Sequence, residues 1–208
     1  MNRPARPRIP TPDGIPFVGL TGGMGAGKST ALRALNRLGC AVLSADEVVH
    51  QIQAEPEVVG EMVAKFGPSV ATEGVLDRQA LATAVFSDPA GRQWMEELIW
   101  PRVGQRIQEW QSGLGASTPK PLLAVVEVPL LFESGMETVF DTTICVVTDE
   151  DVRAQRAASR GHAAVDERAA RQFSQADKAS RAEWTVLNDG SEVELESKLS
   201  EVVAGITA

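Results

Sequence analysis

The sequence has few cysteines, few aromatic residues and no long hydrophobic segment. Its two cysteines, Cys40 and Cys145, are too few for a disulfide framework or a multi-cysteine zinc site, and both belong to apolar runs. We therefore predict two buried, reduced thiols. No segment reaches the length of a membrane span, and the N-terminus has no apolar stretch like that of a secretory signal. We expect a soluble, cytoplasmic protein.

Positive charge is also scarce. Lysine and arginine total 20 against 28 acidic residues, and the net charge of −8 argues against nucleic acid or a membrane surface as a partner. We expect a monomer that binds a small molecule. The apolar share of 43% is enough for the core of one domain with an inserted subdomain. Four prolines within residues 1–14 predict a disordered tail before a domain at 15–208.

What the chain does have is a complete phosphate-binding motif. Residues 22–30 satisfy the pattern G-x-x-x-x-G-K-[ST]. A glycine-rich backbone turns tightly and directs successive N–H groups at phosphate oxygens, and the following helix adds its positive end. Lys28 can reach the β- and γ-phosphates, and the Ser29 hydroxyl can bind Mg²⁺. The predicted nucleotide contacts here are Gly23, Gly25, Ala26, Gly27, Lys28, Ser29 and Thr30.

The surroundings of this motif support a phosphate-binding loop. Residues 17–21 form a short apolar run typical of a buried strand, and apolar residues after the motif recur at helical spacing. Gly39 then supplies a helix stop. Strand, glycine loop and helix in this order are the arrangement that a P-loop requires.

Asp46 follows a second predicted strand, at residues 41–44, and stands at the start of a predicted helix. Ligands of open α/β sheets bind at the carboxyl ends of parallel strands. A carboxylate there can orient a hydroxyl, or accept its proton, as that hydroxyl attacks the γ-phosphate. An acidic residue favoured by the helix dipole explains the position equally well.

Glu127 ends a further predicted buried strand, at residues 122–126. P-loop proteins place a carboxylate that supports Mg²⁺ at such a strand end. The alternative is an acid at the rim of the sheet. Glu133, a few residues later, is a weaker candidate for the same role.

Arginines cluster after the strand predicted at residues 142–147. Arg153, Arg156 and Arg160 share one face of a predicted helix, which opens a helical hairpin at about 150–180. Such a hairpin can act as a lid whose arginines stabilise transferring phosphate charge. The alternative is a solvated face paired with nearby acids.

The middle of the chain is predicted to be helical. Helices are expected near 58–66 and 77–86 and over 88–111, the last interrupted at Pro101. The whole pattern favours a small-molecule kinase. A GTPase is disfavoured because no N-K-x-D motif follows a late strand, although a nucleotide-binding switch remains a rival.

At this point the sequence resembles the dephospho-CoA kinase family, from Phe17 to the C-terminus. The most specific shared segments are Val128-Pro129-Leu130-Leu131-Phe132-Glu133 and the pair Phe66-Gly67-Pro68 and Leu76-Asp77-Arg78; Asp46 with His50, Arg156, Arg160 and Asn188-Asp189-Gly190 are further matches. The resemblance implies a three-layer P-loop fold with five parallel strands, a helical substrate subdomain at about 45–118 and a lid at about 150–180. It implies transfer of the ATP γ-phosphate to the ribose 3′-hydroxyl of dephospho-CoA, with Mg²⁺. Another small-molecule or nucleoside monophosphate kinase is the alternative.

The resemblance also assigns roles and marks departures. Asp46 would be the base or the orienter of the attacking hydroxyl, with Lys28, Arg156 and Arg160 as catalytic phosphate contacts. Asn188 would contact the nucleotide, His50 and Arg78 the substrate, and Ser29 and Glu127 the metal. The chain departs from the family at three positions: Trp100 replaces a common histidine, Glu127 replaces aspartate, and Ser44 stands where an acid is common.

Overall fold

The computed structural model describes residues 14–86, 88–150, 152 and 172–208. The chain divides into two compact units. One is formed by the chain up to Ser44 together with Gln111–Ala208, and the other by Ala45–Trp110. Residues 1–13 of the predicted tail lie outside the described residues, as do 151 and 153–171 of the predicted lid.

The elements follow one another in a strand–helix order broken by a helical segment. In chain order they are β1 (Phe17–Gly22), α1 (Lys28–Arg37), β2 (Ala41–Ser44), α2 (Ala45–Gln53), α3 (Pro56–Phe66), β3 (Ala71–Thr72), β4 (Val75–Leu76), α4 (Arg78–Phe86), α5 (Pro89–Gly113), β5 (Ala124–Glu127), β6 (Thr142–Val147), α6 (Gln175–Arg181), β7 (Trp184–Leu187) and α7 (Glu192–Thr207).

The first unit is built on a parallel sheet of five strands in the order β2-β5-β1-β6-β7. This confirms the predicted P-loop sheet. All six residues of β1 and all four of β5 are buried, as expected for strands covered on both faces. The carboxyl ends of β1 and β5 therefore meet at one edge, next to the loop that leads into α1.

Helices α1 and α7 cover one face of this sheet. Ala31 and Leu35 of α1 share a fully buried core cluster with Leu195 and Leu199 of α7. On the opposite face, the Phe140 ring packs closely against the backbone of β1 at Gly19. A Cβ atom added at Gly19 would lie 2.9 Å from this ring. A side chain at position 19 would therefore displace that ring.

Both cysteines are buried free thiols, as predicted. Burial raises the pKa of each thiol to about 11, so neither forms a thiolate near neutral pH.

The second unit is mostly helical but also contains a small hairpin that the sequence did not predict. Strands β3 and β4 pair antiparallel across Glu73 and Gly74, which both have positive φ, of 52° and 80°. Tight hairpin turns need such values and usually recruit asparagine or aspartate before the glycine. Glutamate at this position gives no hairpin signal in the sequence.

The predicted break at Pro101 is wrong, because α5 continues from Pro89 to Gly113. Proline removes one backbone donor from a helix interior. Buried Ile99, Val103 and Ile107 hold the helix on both sides of it. The Arg102 guanidinium also donates to the Leu98 carbonyl at 2.9 Å, which supports the backbone beside the proline. No helix in the described part of the chain is long and apolar enough to cross a bilayer.

Candidate active site

The loop between β1 and α1 has the conformation that its glycines predict. Gly25 and Gly27 have φ of 79° and 90°, a region that residues with a side chain adopt only at a cost. The Ala26 amide donates to the Gly23 carbonyl at 3.2 Å and closes the turn. Helix α1 then starts without a side-chain cap and without an acid in its first turn. Its positive end is therefore available to an anion.

Lys28 folds back over this loop. Its ammonium group donates to the carbonyls of Gly22 and Gly23, both at 3.1 Å. The charge therefore lies beside the loop backbone, where phosphate oxygens of a bound nucleotide would take the place of carbonyl oxygens as acceptors.

Asn188 connects the end of β7 to the loop. Its side-chain amide, in a residue only 5% exposed, donates to the Ala26 carbonyl at 2.8 Å, and its backbone amide donates to Val147 at the end of β6. The sequence assigns Asn188 to the nucleotide. The structure gives it a direct contact with the backbone of the phosphate-binding loop.

Glu127 ends β5 and is 7% exposed. Its Oε2 accepts a hydrogen bond of 3.0 Å from the hydroxyl of Ser44, its register partner on β2. Ser44 and Glu127, which the resemblance marks as departures, are thus in direct contact.

The donor set suits a magnesium ion. Mg²⁺ takes oxygen ligands and commonly uses one or two protein groups together with phosphate oxygens and water. Ser29, the second residue of α1, and Glu127 supply oxygen donors of that kind within the first unit. No cluster of three or more histidine, cysteine or acidic side chains that could form a complete metal cage occurs among the residues described.

The predicted acceptor-side residues lie in the second unit. Asp46 is the second residue of α2, directly after β2, and His50 lies one turn later on the same helix face. Arg78 is the first residue of α4. The preceding Asp77 accepts hydrogen bonds from the Gln79 and Ala80 amides at 2.9 and 3.0 Å, so it caps the helix that carries Arg78. Arg153, Arg156 and Arg160 lie outside the described residues.

Sequence reasoning missed Thr148 and Gln175. The Thr148 amide donates to Gln175 Oε1 at 3.1 Å, and Gln175 Nε2 donates back to the Thr148 carbonyl at 3.0 Å. The Gln175 side chain also packs against Gly23, where an added Cβ would lie 2.7 Å from its Cγ. This pair joins the chain leaving β6 to the chain entering α6, beside the phosphate-binding loop. No local pattern marks it, because its partners are 27 residues apart.

Gly22, the last residue of β1, leaves no room for a side chain. A Cβ there would lie 2.4 Å from the Val146 carbonyl oxygen, which is fixed in β6. We expect Gly22→Ala to lower the free energy of unfolding by about 1 to 3 kcal/mol in urea denaturation, because the backbone must shift. Gly104→Ala, in α5 with no atom within 4 Å of an added Cβ, is the control and should not destabilise the protein. A Gly22→Ala protein as stable as wild type would contradict the crowding.

Comparison with known proteins agrees with these features. The family model for dephospho-CoA kinase matches residues 16–194. The dephospho-CoA kinase of Deinococcus radiodurans is 38% identical to this chain over 185 residues, which cover 88% of each chain. The dephospho-CoA kinase of Protochlamydia amoebophila is 36% identical over 190 residues, which cover 89% of this chain and 93% of the relative. A crystal structure of a Thermus thermophilus protein superposes with a TM-score of 0.78 at 34% identity, over 93% of this chain and 99% of that one. The chain belongs to the dephospho-CoA kinase family.

Proposed function

We propose that this protein transfers the γ-phosphate of ATP to the ribose 3′-hydroxyl of dephospho-CoA. The observation that carries the proposal is the phosphate-binding loop with Lys28 folded over it, in a chain of this family. We further propose that it acts as a cytoplasmic monomer without nucleic-acid or membrane partners. Its net charge of −8 disfavours both of these partners.

The proposed nucleotide site is the loop from Gly23 to Thr30. Backbone amides at Gly23, Gly25 and Gly27 and in the first turn of α1 would bind the phosphate oxygens, and Ala26, whose amide closes the turn, would line the site. Asn188, which donates to the Ala26 carbonyl, would hold the loop in that shape beside the nucleotide.

Lys28 is the proposed electrostatic catalyst. On nucleotide binding its ammonium would leave the carbonyls of Gly22 and Gly23 and donate to the β- and γ-phosphates. The interaction strengthens as charge develops during transfer, and it therefore lowers the barrier.

Ser29 and Glu127 are the proposed metal-side residues. When Mg²⁺ is bound, it neutralises charge on the β- and γ-phosphate oxygens. The Ser29 hydroxyl would be a ligand, and Glu127 would act directly or through a metal-bound water. The Ser44 hydroxyl fixes the orientation of the Glu127 carboxylate, because it donates to one of the two oxygens.

Asp46 is the proposed base for the acceptor hydroxyl. It follows β2, whose neighbour in the sheet is β5 with Glu127 at its end. A carboxylate within hydrogen-bond reach of the ribose 3′-hydroxyl would orient it and accept its proton. His50 and Arg78 are proposed substrate contacts in the helical subdomain at about 45–118, and Arg156 and Arg160 proposed phosphate contacts in the lid at about 150–180.

An acceptor panel tests the function. ADP release is measured with no acceptor, with dephospho-CoA, with shikimate and with a nucleoside monophosphate. We expect rapid release with dephospho-CoA alone. Brisk turnover of a monophosphate without turnover of dephospho-CoA would overturn the substrate, and slow hydrolysis that ignores every acceptor would indicate a nucleotide-binding switch.

A further inference from the structure

A fully buried lysine, Lys178, has no part in the mechanism above. It lies on α6 with no exposed surface. Its ammonium donates to the Pro129 carbonyl at 2.6 Å and lies 2.9 Å from Oε1 of Glu133. Removing an ammonium and a carboxylate from water is expensive, and such a pair is often no better for stability than well-packed apolar residues. Its presence therefore calls for a reason other than stability.

The carboxylate of the pair is incompletely satisfied. Glu133 Oε1 accepts from Lys178 and also from the Phe173 amide at 2.7 Å. The other oxygen, Oε2, is buried and has no hydrogen-bond donor among the described residues. A buried acceptor without a partner costs stability. This arrangement again favours a functional explanation for the pair.

The contacts of the pair converge on the catalytic edge of the sheet. Pro129 comes two residues after Glu127, and its carbonyl also accepts from the Thr21 hydroxyl of β1 at 3.4 Å. Phe173 lies where the chain re-enters the described part after residue 171. The Pro129 carbonyl, which follows Glu127, thus accepts from Lys178 and from Thr21 of β1, the strand that leads into the phosphate-binding loop. The Glu133 carboxylate accepts from Lys178 and from the Phe173 amide.

The thiol of Cys145, the register partner of Thr21, also lies near these charges. Burial raises the pKa of this thiol, the charges of Lys178 and Lys28 lower the pKa, and the charge of Glu133 raises it.

We propose that Lys178 is a positioning residue for phosphoryl transfer. Its ammonium fixes the Pro129 carbonyl and the Glu133 carboxylate, and through them it sets the position of Glu127 relative to the phosphate-binding loop. The proposal rests on the proposed function. A hydrophobic pair at the two positions would fill the same space, but it would leave the chain after Glu127 without its polar anchors.

The test replaces the whole pair, because removing only the lysine would leave a buried charge and could unfold the protein. In Lys178→Met/Glu133→Leu we expect thermal stability near that of wild type and a kcat lower by about 10- to 100-fold, since small misplacements of catalytic groups have effects of that size. The control is Arg37→Met/Glu196→Leu, which removes an exposed ion pair of 2.6 Å in the same unit and should keep wild-type kcat.

Two further variants keep the test decisive. Lys178→Arg retains the charge and should recover kcat to well above that of the double variant. Lys178→Met/Glu133→Gln removes both charges and keeps an acceptor for the Phe173 amide, so it reports on kcat even if Lys178→Met/Glu133→Leu is unstable. A kcat within twofold of wild type in these two folded double variants would overturn the proposal.

A second readout does not depend on the acceptor. The affinity for a fluorescent ATP analogue is measured with and without Mg²⁺. If Lys178 positions Glu127, the gain in affinity from Mg²⁺ should shrink in the double variant and stay intact in the Arg37/Glu196 control. If the affinity gain from Mg²⁺ is the same in the double variant as in wild type, the role of Lys178 is contradicted, whichever acceptor the enzyme uses. If wild type phosphorylates an acceptor other than dephospho-CoA, only the proposed substrate is refuted.

Discussion

Replacing Lys28 by alanine is expected to lower kcat for phosphoryl transfer by a factor of about 10² to 10³, the size found when one preorganised donor to developing charge is removed. The Lys28 ammonium already lies at the phosphate-binding loop, 3.1 Å from two of its carbonyl oxygens. On nucleotide binding the ammonium therefore exchanges these two acceptors for phosphate oxygens of the same site. Single-turnover measurement of ADP formation separates this effect from nucleotide affinity.

The same substitution removes two hydrogen bonds to the loop, so stability must be measured in parallel. Each bond contributes about 1 kcal/mol, and the folded protein should survive their loss. Lys120→Ala is a suitable control, because Lys120 is an exposed lysine before β5, at the opposite edge of the sheet. A near wild-type rate of transfer in Lys28→Ala would contradict the catalytic role of Lys28.

The second large effect is expected at Asp46. Asp46→Asn keeps the size of the side chain but removes its ability to accept a proton. If Asp46 is the base for the acceptor hydroxyl, kcat should fall by about 10²- to 10⁴-fold, while the affinity for ATP should stay close to that of wild type. Equilibrium binding of ATP and the rate of transfer to dephospho-CoA, measured on the same preparation, give the two numbers.

Glu47 provides the matched control for this prediction. It is the adjacent acid in the first turn of α2 and is exposed, whereas Asp46 is half-buried. Both carboxylates interact with the positive end of the helix, so Glu47→Gln and Asp46→Asn should lose similar helix-dipole energy. Only Asp46→Asn should lose transfer. Equal and small effects of the two variants would reduce Asp46 to a residue favoured by the helix dipole.

Local patterns were sufficient to predict most of the sheet. The apolar runs at 17–21, 122–126 and 142–147 specify strands buried on both faces, and each lies on or beside an observed strand. Two local signals were misleading. The Glu73-Gly74 turn lacks the usual hairpin residues, and the Pro101 signal was overridden by the packing of α5 on both sides of it. Tertiary contacts decide such cases, and a short window cannot show them.

The residues of the site also fall into those that a local motif identifies and those that only tertiary contacts reveal. The phosphate-binding loop is a continuous motif, so spacing alone identified it. The contact between Asn188 and the Ala26 carbonyl joins residues 162 apart, and Lys178 reaches a carbonyl 49 residues earlier. The partners of such side chains are set by strand order. No local pattern therefore marks the lysine on α6 as a buried residue.

The most direct test of the proposed reaction is the position of the phosphate on the product. Dephospho-CoA is incubated with the protein and MgATP, and the product is analysed by ³¹P–¹H correlation NMR. We predict a new phosphomonoester coupled to the ribose H3′ proton, formed in equal amount to ADP. A phosphate coupled to H2′, or ADP without any phosphorylated dephospho-CoA, would contradict the proposed reaction.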